Sequence, residues 1–97
     1  MLRHIVMIQF KDRMTKDEEA AKLKMMLENL KSEIPSLYTM DVGLNISTKP
    51  TAFDLVLTAD FENETGLNAY RIHPAHQEVL DYLKKVMEKT AVVDYTL

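Results

Sequence analysis

Residues 70–76 read Tyr70-Arg71-Ile72-His73-Pro74-Ala75-His76, and two helical patterns of the chain meet at this stretch. Pro74 lacks a backbone N–H and its ring collides with the preceding turn, so it is excluded from a helix interior but fits the first helical position. We therefore predict that a helix begins at Pro74, with His73 as its N-cap and His76 in its first turn. The break between the two helices is a candidate site for a pocket.

The same stretch holds two of the three histidines and one of the four tyrosines of the chain. His76 would lie near the positive end of the helix dipole, which disfavours the imidazolium. A neutral histidine can act as a general base or as a hydrogen-bond donor near pH 7. Residues three apart share a helix face, so Tyr70, His73 and His76 could converge. A purely structural interpretation stays open, with His73 as a cap, His76 in solvent and Tyr70 in the core.

Composition predicts one small folded domain that covers residues 1–97. The chain is 46% hydrophobic and 28% charged, which is typical of a globular protein rather than a disordered one. Its net charge of −3 argues against nucleic-acid binding, because a nucleic-acid ligand needs a basic face. The absence of cysteine excludes disulfides, thiolate metal sites and a cysteine nucleophile.

The first residues of the chain predict a strand and not a secretion signal, since they lack the apolar run and the small-residue cleavage site of such a signal. No apolar run approaches the roughly 20 residues that span a bilayer. We therefore expect a cytoplasmic protein without a membrane partner. The two glycosylation sequons, at Asn45 and Asn63, are interpreted as chance matches.

Hydrophobic periodicity predicts the remaining elements, because strands alternate apolar and polar residues and helices repeat them every three or four residues. Strands are predicted over residues 2–10, 38–46, 53–61 and 91–97, and helices over residues 16–32, 64–72 and 74–89. Thr15 and Glu18 match a capping box, and Asn63 is a further candidate cap. Gly43, inside the second strand, predicts a bulge or a close backbone approach.

With two long helices, the order β-α-β-β-α-β predicts an α+β, ferredoxin-like fold with a four-stranded antiparallel sheet and both long helices on one face. The other face would then expose Ile5, Met7 and Val56. Monomers rarely expose apolar patches larger than a few hundred Å². A second copy packed sheet against sheet would cover this face, so we predict a homodimer that forms a dimeric α/β barrel.

A pocket is predicted between the sheet and the helices, where the His-Pro break loosens the packing. Alternate residues of the first and third strands, over residues 2–6 and 53–57, would line it with apolar side chains. His4, Tyr70 and His76 would add a few convergent polar groups, which is the usual composition of a small-molecule site. The expected ligand is a small apolar molecule.

Four short motifs make the chain resemble a known family. They are the start His4-Ile5-Val6-Met7-Ile8-Gln9-Phe10-Lys11, the middle motif Ile34-Pro35 followed by Val42-Gly43, the element Tyr70-x-x-His73-Pro74-Ala75-His76, and the ending Val92-Val93-Asp94-Tyr95. Together they resemble the stress-responsive α/β-barrel (Dabb) domain over essentially the whole chain. The resemblance implies a ferredoxin-like protomer and a dimeric barrel. It does not imply a specific activity, because most members of the family have no assigned activity. Some members are described as stress-induced.

The resemblance further implies roles for individual residues. A plant cyclase of this family closes a linear polyketide by an aldol reaction, without a metal or an organic cofactor. Its pocket histidine and tyrosine match His76 and Tyr70, and its first-strand histidine matches His4. A further pocket histidine of that enzyme falls at Leu55, so the present pocket would be more apolar. Leu55 and His73 are the additional candidate ligand contacts.

Three functions stay open on the sequence. The favoured one is an interaction or stress-response module that binds an apolar small molecule without catalysis. The second is a cofactor-independent cyclase or lyase on a polyketide-like carbonyl substrate, in which His76 removes a proton, Tyr70 holds the enolate oxygen and His4 orients His76 or the substrate. The third is a monooxygenase, by analogy of fold alone. A metal site through His73 and His76 is disfavoured, because two imidazoles make an incomplete ligand set.

Overall fold

The chain forms four strands and three helices in the computed structural model, which describes residues 1–97. The elements are β1 (Leu2–Phe10), α1 (Lys16–Glu33), β2 (Thr39–Leu44), β3 (Leu55–Phe61), α2 (Glu64–Ile72), α3 (Pro74–Val86) and β4 (Met87–Thr96). The strands form one sheet in the order β2-β3-β1-β4, and every neighbouring pair is antiparallel. The predicted ferredoxin-like fold is confirmed.

One apolar core forms between the helices and one face of the sheet. The buried residues of α1 repeat every three or four positions and are Ala20, Leu23, Leu27 and Leu30. Most of the alternate residues of β1 and β3 that face them are buried as well. Each large aliphatic or aromatic side chain buried in this way contributes about 1.5–3 kcal/mol of transfer free energy. The helices that supply these side chains are amphipathic, and none is long and apolar enough to cross a membrane.

The ends of several elements differ from the prediction. β3 begins at Leu55 rather than at residue 53. Just before it, the buried carboxylate of Asp54 accepts from the Phe10 N–H at 2.8 Å and binds Arg13. β4 begins directly after α3, where Met87 pairs with Phe10 across a register shift. The predicted helix reached residue 89 and the predicted strand began at residue 91. Lys89 and Thr90 instead pair with β1, since an edge strand tolerates polar side chains on its solvent side.

The predicted capping box at Thr15 is wrong, and of the two alternatives predicted for Gly43 only the close approach is present. The hydroxyl of Thr15 caps no backbone N–H and instead donates to Oε1 of Glu19 at 3.2 Å, so the capping box with Glu18 does not form. The ladder between β2 and β3 runs through Gly43 without a register shift, so there is no bulge. The close approach is present, since a Cβ at Gly43 would lie 3.3 Å from Cγ1 of Val56.

The sheet face opposite the core carries apolar side chains from three strands. Ile5, Met7 and Val56 lie there as predicted, and the register of β4 adds Val93 opposite Ile5. Met7 is 36% exposed and Val93 is 56% exposed. The chain therefore leaves an apolar, strand-built surface open, and we call it the outer sheet face.

Candidate functional site

The junction of α2 and α3 is held by the predicted His-Pro cap. Nδ1 of His73 accepts from the backbone N–H of Ala75 at 3.1 Å, and Pro74 occupies the first turn of α3. The backbone N–H of His73 donates in turn to the carbonyl of Tyr70 at 3.2 Å. These contacts fix the angle between the helices and set both Tyr70 and His76 on the side that faces the sheet.

Tyr70 belongs to the core and to the site at once. Its side chain is 1% exposed, and its ring centroid lies 5.1 Å from that of Phe61 and 4.2 Å from that of His76. Its hydroxyl has no hydrogen-bond partner in the protein, although the residue lines a cavity. Burial raises the pKa of Tyr70, so the phenol stays protonated at neutral pH and is available as a donor.

His76 is set up as a neutral base. Its Nδ1 lies 3.2 Å from the carbonyl oxygen of Arg71, and because a carbonyl only accepts, Nδ1 is the nitrogen that carries hydrogen. The lone pair of the neutral ring is then on Nε2. Burial lowers the pKa of His76; the proximity of His4 and Arg71 acts in the same direction, and the carbonyl contact opposes it.

A second histidine approaches from the sheet. His4 on β1 is buried, and its ring centroid lies 6.4 Å from that of Tyr70. Nδ1 of His4 donates to Oδ1 of Asp94 on β4, while Oδ2 of Asp94 accepts from Arg71 at 3.3 Å. Asp94 thus orients His4 from the sheet and ties the end of α2 to the edge strand.

These groups line one end of a half-open cavity of about 510 Å³ between α3 and the inner face of β1 and β4. The middle of its wall is apolar, with side chains that include Val6, Ile8, Leu57, Val79, Leu83 and Val92. The polar lining residues are His4, Tyr70, Arg71, His76, Lys84 and Thr90. Lys84 lies eight residues after His76 on α3, and Thr90 pairs with Ile8 four residues beyond His4 on β1, so Lys84 and Thr90 form a second polar end away from the other four residues. The cavity is therefore mainly apolar, and the histidines and the tyrosine that could take part in a reaction lie at one of its ends.

The structure brings three of the five candidate site residues together. Tyr70, His76 and His4 line the cavity, whereas His73 and Leu55 do not. His73 faces a separate groove between α1 and α3 and uses its ring as a cap. Leu55 is 1% exposed and packs in the core. The assignment of His73 and Leu55 as ligand contacts stays a prediction. No group of three or more potential metal ligands is present.

Asp94 and Arg71 were missed as site residues. Asp94 lies directly across from His4 in the ladder of β1 and β4, and it shares the inner face with Val92. The signal was an acidic residue in an otherwise apolar run, but it acquires meaning only when β4 is paired with β1. Arg71 looked like an ordinary exposed helix residue because its partner is 23 positions away in sequence.

Comparison with known proteins agrees with this fold. The model of the stress responsive A/B barrel domain matches residues 2–97. Olivetolic acid cyclase from Cannabis sativa is 27% identical over 97 residues, which cover 98% of this chain and 95% of that protein. A dimeric ferredoxin-like protein of unknown function from Bacteroides fragilis superposes with a TM-score of 0.90 at 26% identity, covering 99% of this chain and 95% of that one.

A second dimeric ferredoxin-like protein of unknown function, from Thermobifida fusca, superposes with a TM-score of 0.85 at 26% identity, covering 99% of this chain and 90% of that one. The match of the domain model extends over nearly every residue, including the ends of β1 and β4 that bring His4 and Asp94 together. The chain belongs to the family of stress-responsive A/B barrel domains.

Proposed function

We propose that the protein binds a small, largely apolar carbonyl compound in this cavity and catalyses removal of a proton next to its carbonyl. The observation that carries the proposal is the convergence of a neutral histidine and an unpartnered phenol on one apolar cavity. If both side chains pointed to bulk water, the geometry would support only an interaction module that binds without catalysis. That interpretation, binding without turnover, is the alternative.

The cavity has the size and the lining of a small-molecule site. Its volume of about 510 Å³ lies inside the range of about 300–1,000 Å³ that is usual for such sites. Its wall is mostly aliphatic, so an apolar ligand gains by leaving water. The few polar groups at the first end are the ones that would orient a carbonyl.

The proposed reaction is an enolisation. The C–H bond next to the carbonyl breaks, its proton goes to Nε2 of His76, and its electron pair moves towards the carbonyl oxygen. The hydroxyl of Tyr70 donates to that oxygen as negative charge develops on it. The carbonyl of Arg71, which accepts from Nδ1 of His76, stabilises the imidazolium that forms. The enolate is the nucleophile that an aldol-type ring closure needs.

The proposal is tested with methyl octyl ketone in deuterated buffer. We expect the protein to raise the midpoint of thermal unfolding, since the ligand binds only the folded state, and to exchange the protons next to the carbonyl faster than buffer does. The exchange is followed by loss of the proton NMR signals. Val92→Trp, which fills the cavity wall, should abolish both effects, whereas Ile72→Trp on the exposed side of α2 should abolish neither.

An exchange rate equal to that of buffer would remove catalysis from the proposal. Stabilisation by the ketone that persists in Val92→Trp would place binding elsewhere. Stabilisation without exchange would favour the interaction module. The monooxygenase alternative has only the shared fold behind it. The cytoplasmic location and the absence of a nucleic-acid partner stay predictions.

We also propose that two copies pair through the outer sheet face. Its exposed apolar side chains come from β1, β3 and β4, and the structural relatives described above are dimeric. Val93→Glu should weaken the dimer by about 2 kcal/mol or more, roughly thirtyfold in Kd, because it places a charge in the interface centre. Met25→Glu, at an apolar position on α1 that is also more than half exposed, should not weaken the dimer. Sedimentation velocity that finds single subunits of the unaltered protein at micromolar concentration would contradict this prediction.

A further inference from the structure

The far end of the cavity carries a cation without a partner. Lys84 on α3 lines the cavity and takes part in none of the five ion pairs of the chain. The other lining cation, Arg71, already donates to Asp94 and Asn68, both at 3.3 Å. No carboxylate lines the cavity. The far end is therefore locally positive in a chain whose net charge is −3.

Thr90 is the other polar residue at this end, but it does not offer a hydrogen-bond donor to an anion. Its hydroxyl donates to the backbone carbonyl of Met7 at 3.0 Å, so its hydrogen is not available to a ligand. An anion at the far end would thus be recognised by the ammonium of Lys84. The aliphatic stem of the lysine continues the apolar wall up to that ammonium.

The separation of the two ends follows from helix geometry. His76 and Lys84 lie on one face of α3, eight residues apart, which is about 12 Å at a rise of about 1.5 Å per residue. Leu80 and Leu83 lie between them on the cavity side. An extended carbon chain advances about 1.25 Å per bond, given bond lengths near 1.5 Å and angles near 111°. About eight to ten bonds therefore bridge the two ends.

We propose that the cavity selects an anionic amphiphile: a medium-chain keto acid whose carboxylate lies beside Lys84 and whose ketone lies between Tyr70 and His76. The inference rests on the proposed function, since it names the class of substrate for the same site. The apolar wall holds the methylene chain, and the two polar ends hold the two functional groups. A chain much shorter than this cannot reach both ends, and a cationic head group meets Lys84 with the wrong sign.

The test measures binding of decanoate, decanol and decyltrimethylammonium to the full chain at low ionic strength, below their micelle concentrations. Decanoate should bind about tenfold more tightly than decanol, the equivalent of about 1.4 kcal/mol, and the ammonium ion should bind most weakly. Lys84→Gln should bring decanoate to the level of decanol. Lys85→Gln is the matched control, because Lys85 is exposed in the same last turn of α3 but lies off the cavity.

Added salt should weaken the binding of decanoate and leave the binding of decanol unchanged, since salt screens the attraction between two exposed charges. Equal binding of decanoate and decanol would overturn the inference, and so would an equal loss in the two lysine variants, which would indicate general electrostatics. These failures are separable from that of the proposed function. Turnover of methyl octyl ketone without a preference for decanoate overturns only the head-group inference, whereas absence of both binding and exchange overturns the function itself.

Discussion

Replacing His76 with glutamine is expected to slow proton exchange of the bound ketone by about 10²- to 10⁴-fold, the usual contribution of a positioned general base. Glutamine keeps a polar group that can donate to the carbonyl of Arg71, so the end of α2 should stay in place. What it removes is the lone pair of Nε2. The rate is measured by NMR in deuterated buffer, and the thermal unfolding midpoint is recorded alongside it.

Gln77 supplies the control for this substitution. Its side-chain amide also donates to the carbonyl of Arg71, at 2.8 Å, but it is exposed and brings no base. Gln77→Ala should therefore keep most of the exchange rate. A loss in Gln77→Ala as large as that in His76→Gln would show that exchange depends on the general arrangement around the Arg71 carbonyl and not on a base at position 76.

The pH dependence adds a second check on His76. Because burial lowers its pKa below the ordinary value of about 6.5, the ring is neutral and active at pH 7 and loses activity only on further acidification. Stability follows the same sign: between the lowered folded pKa and about 6.5 the unfolded chain binds more protons, so stability rises with pH across that window and is lost as the pH falls through it. A kinetic midpoint above 6.5 would contradict the assignment.

The fold was predictable because its determinants are local. Alternation marked the strands, the three-and-four stripe marked α1, and Pro74 marked the start of α3. The start of β4 was not, since residues 88–90 are polar and gain their strand conformation only from pairing with β1. The N-cap of α1 was mispredicted for a similar reason: Thr15 and Glu18 fit a motif, but Thr15 found Glu19 instead.

The candidate site likewise contains residues that local sequence could bring together and residues that meet only through strand pairing. Tyr70 and His76 lie six residues apart, so the sequence placed them together through the His-Pro break. Asp94 reaches His4 across 90 positions, and only the register of β1 and β4 reveals that pairing. Leu55 was implied as a ligand contact by the resemblance alone. It lies on the inner side of β3, but it is buried in the core and does not line the cavity.

Tyr70 should separate stability from catalysis more sharply than any other residue of the chain. Tyr70→Ala removes a side chain that is 1% exposed and packs on Phe61, so it should destabilise the fold by about 3–5 kcal/mol. Tyr70→Phe keeps the ring and removes a hydroxyl that has no protein partner. The change in unfolding free energy should then stay within about 1 kcal/mol, because no buried hydrogen bond is lost.

The rate of proton exchange should fall strongly in Tyr70→Phe, although the stability of this variant hardly changes. Without the hydroxyl, the enolate oxygen loses its donor, and exchange in Tyr70→Phe should fall by about 10²-fold. Urea unfolding and NMR exchange on the same samples measure the two effects. If Tyr70→Phe were as unstable as Tyr70→Ala, the hydroxyl would have a structural partner, and if it kept the full rate, the phenol would not be the donor. A donor anchored in the core needs no reorganisation when charge develops, and this is why a mainly structural residue can serve the reaction.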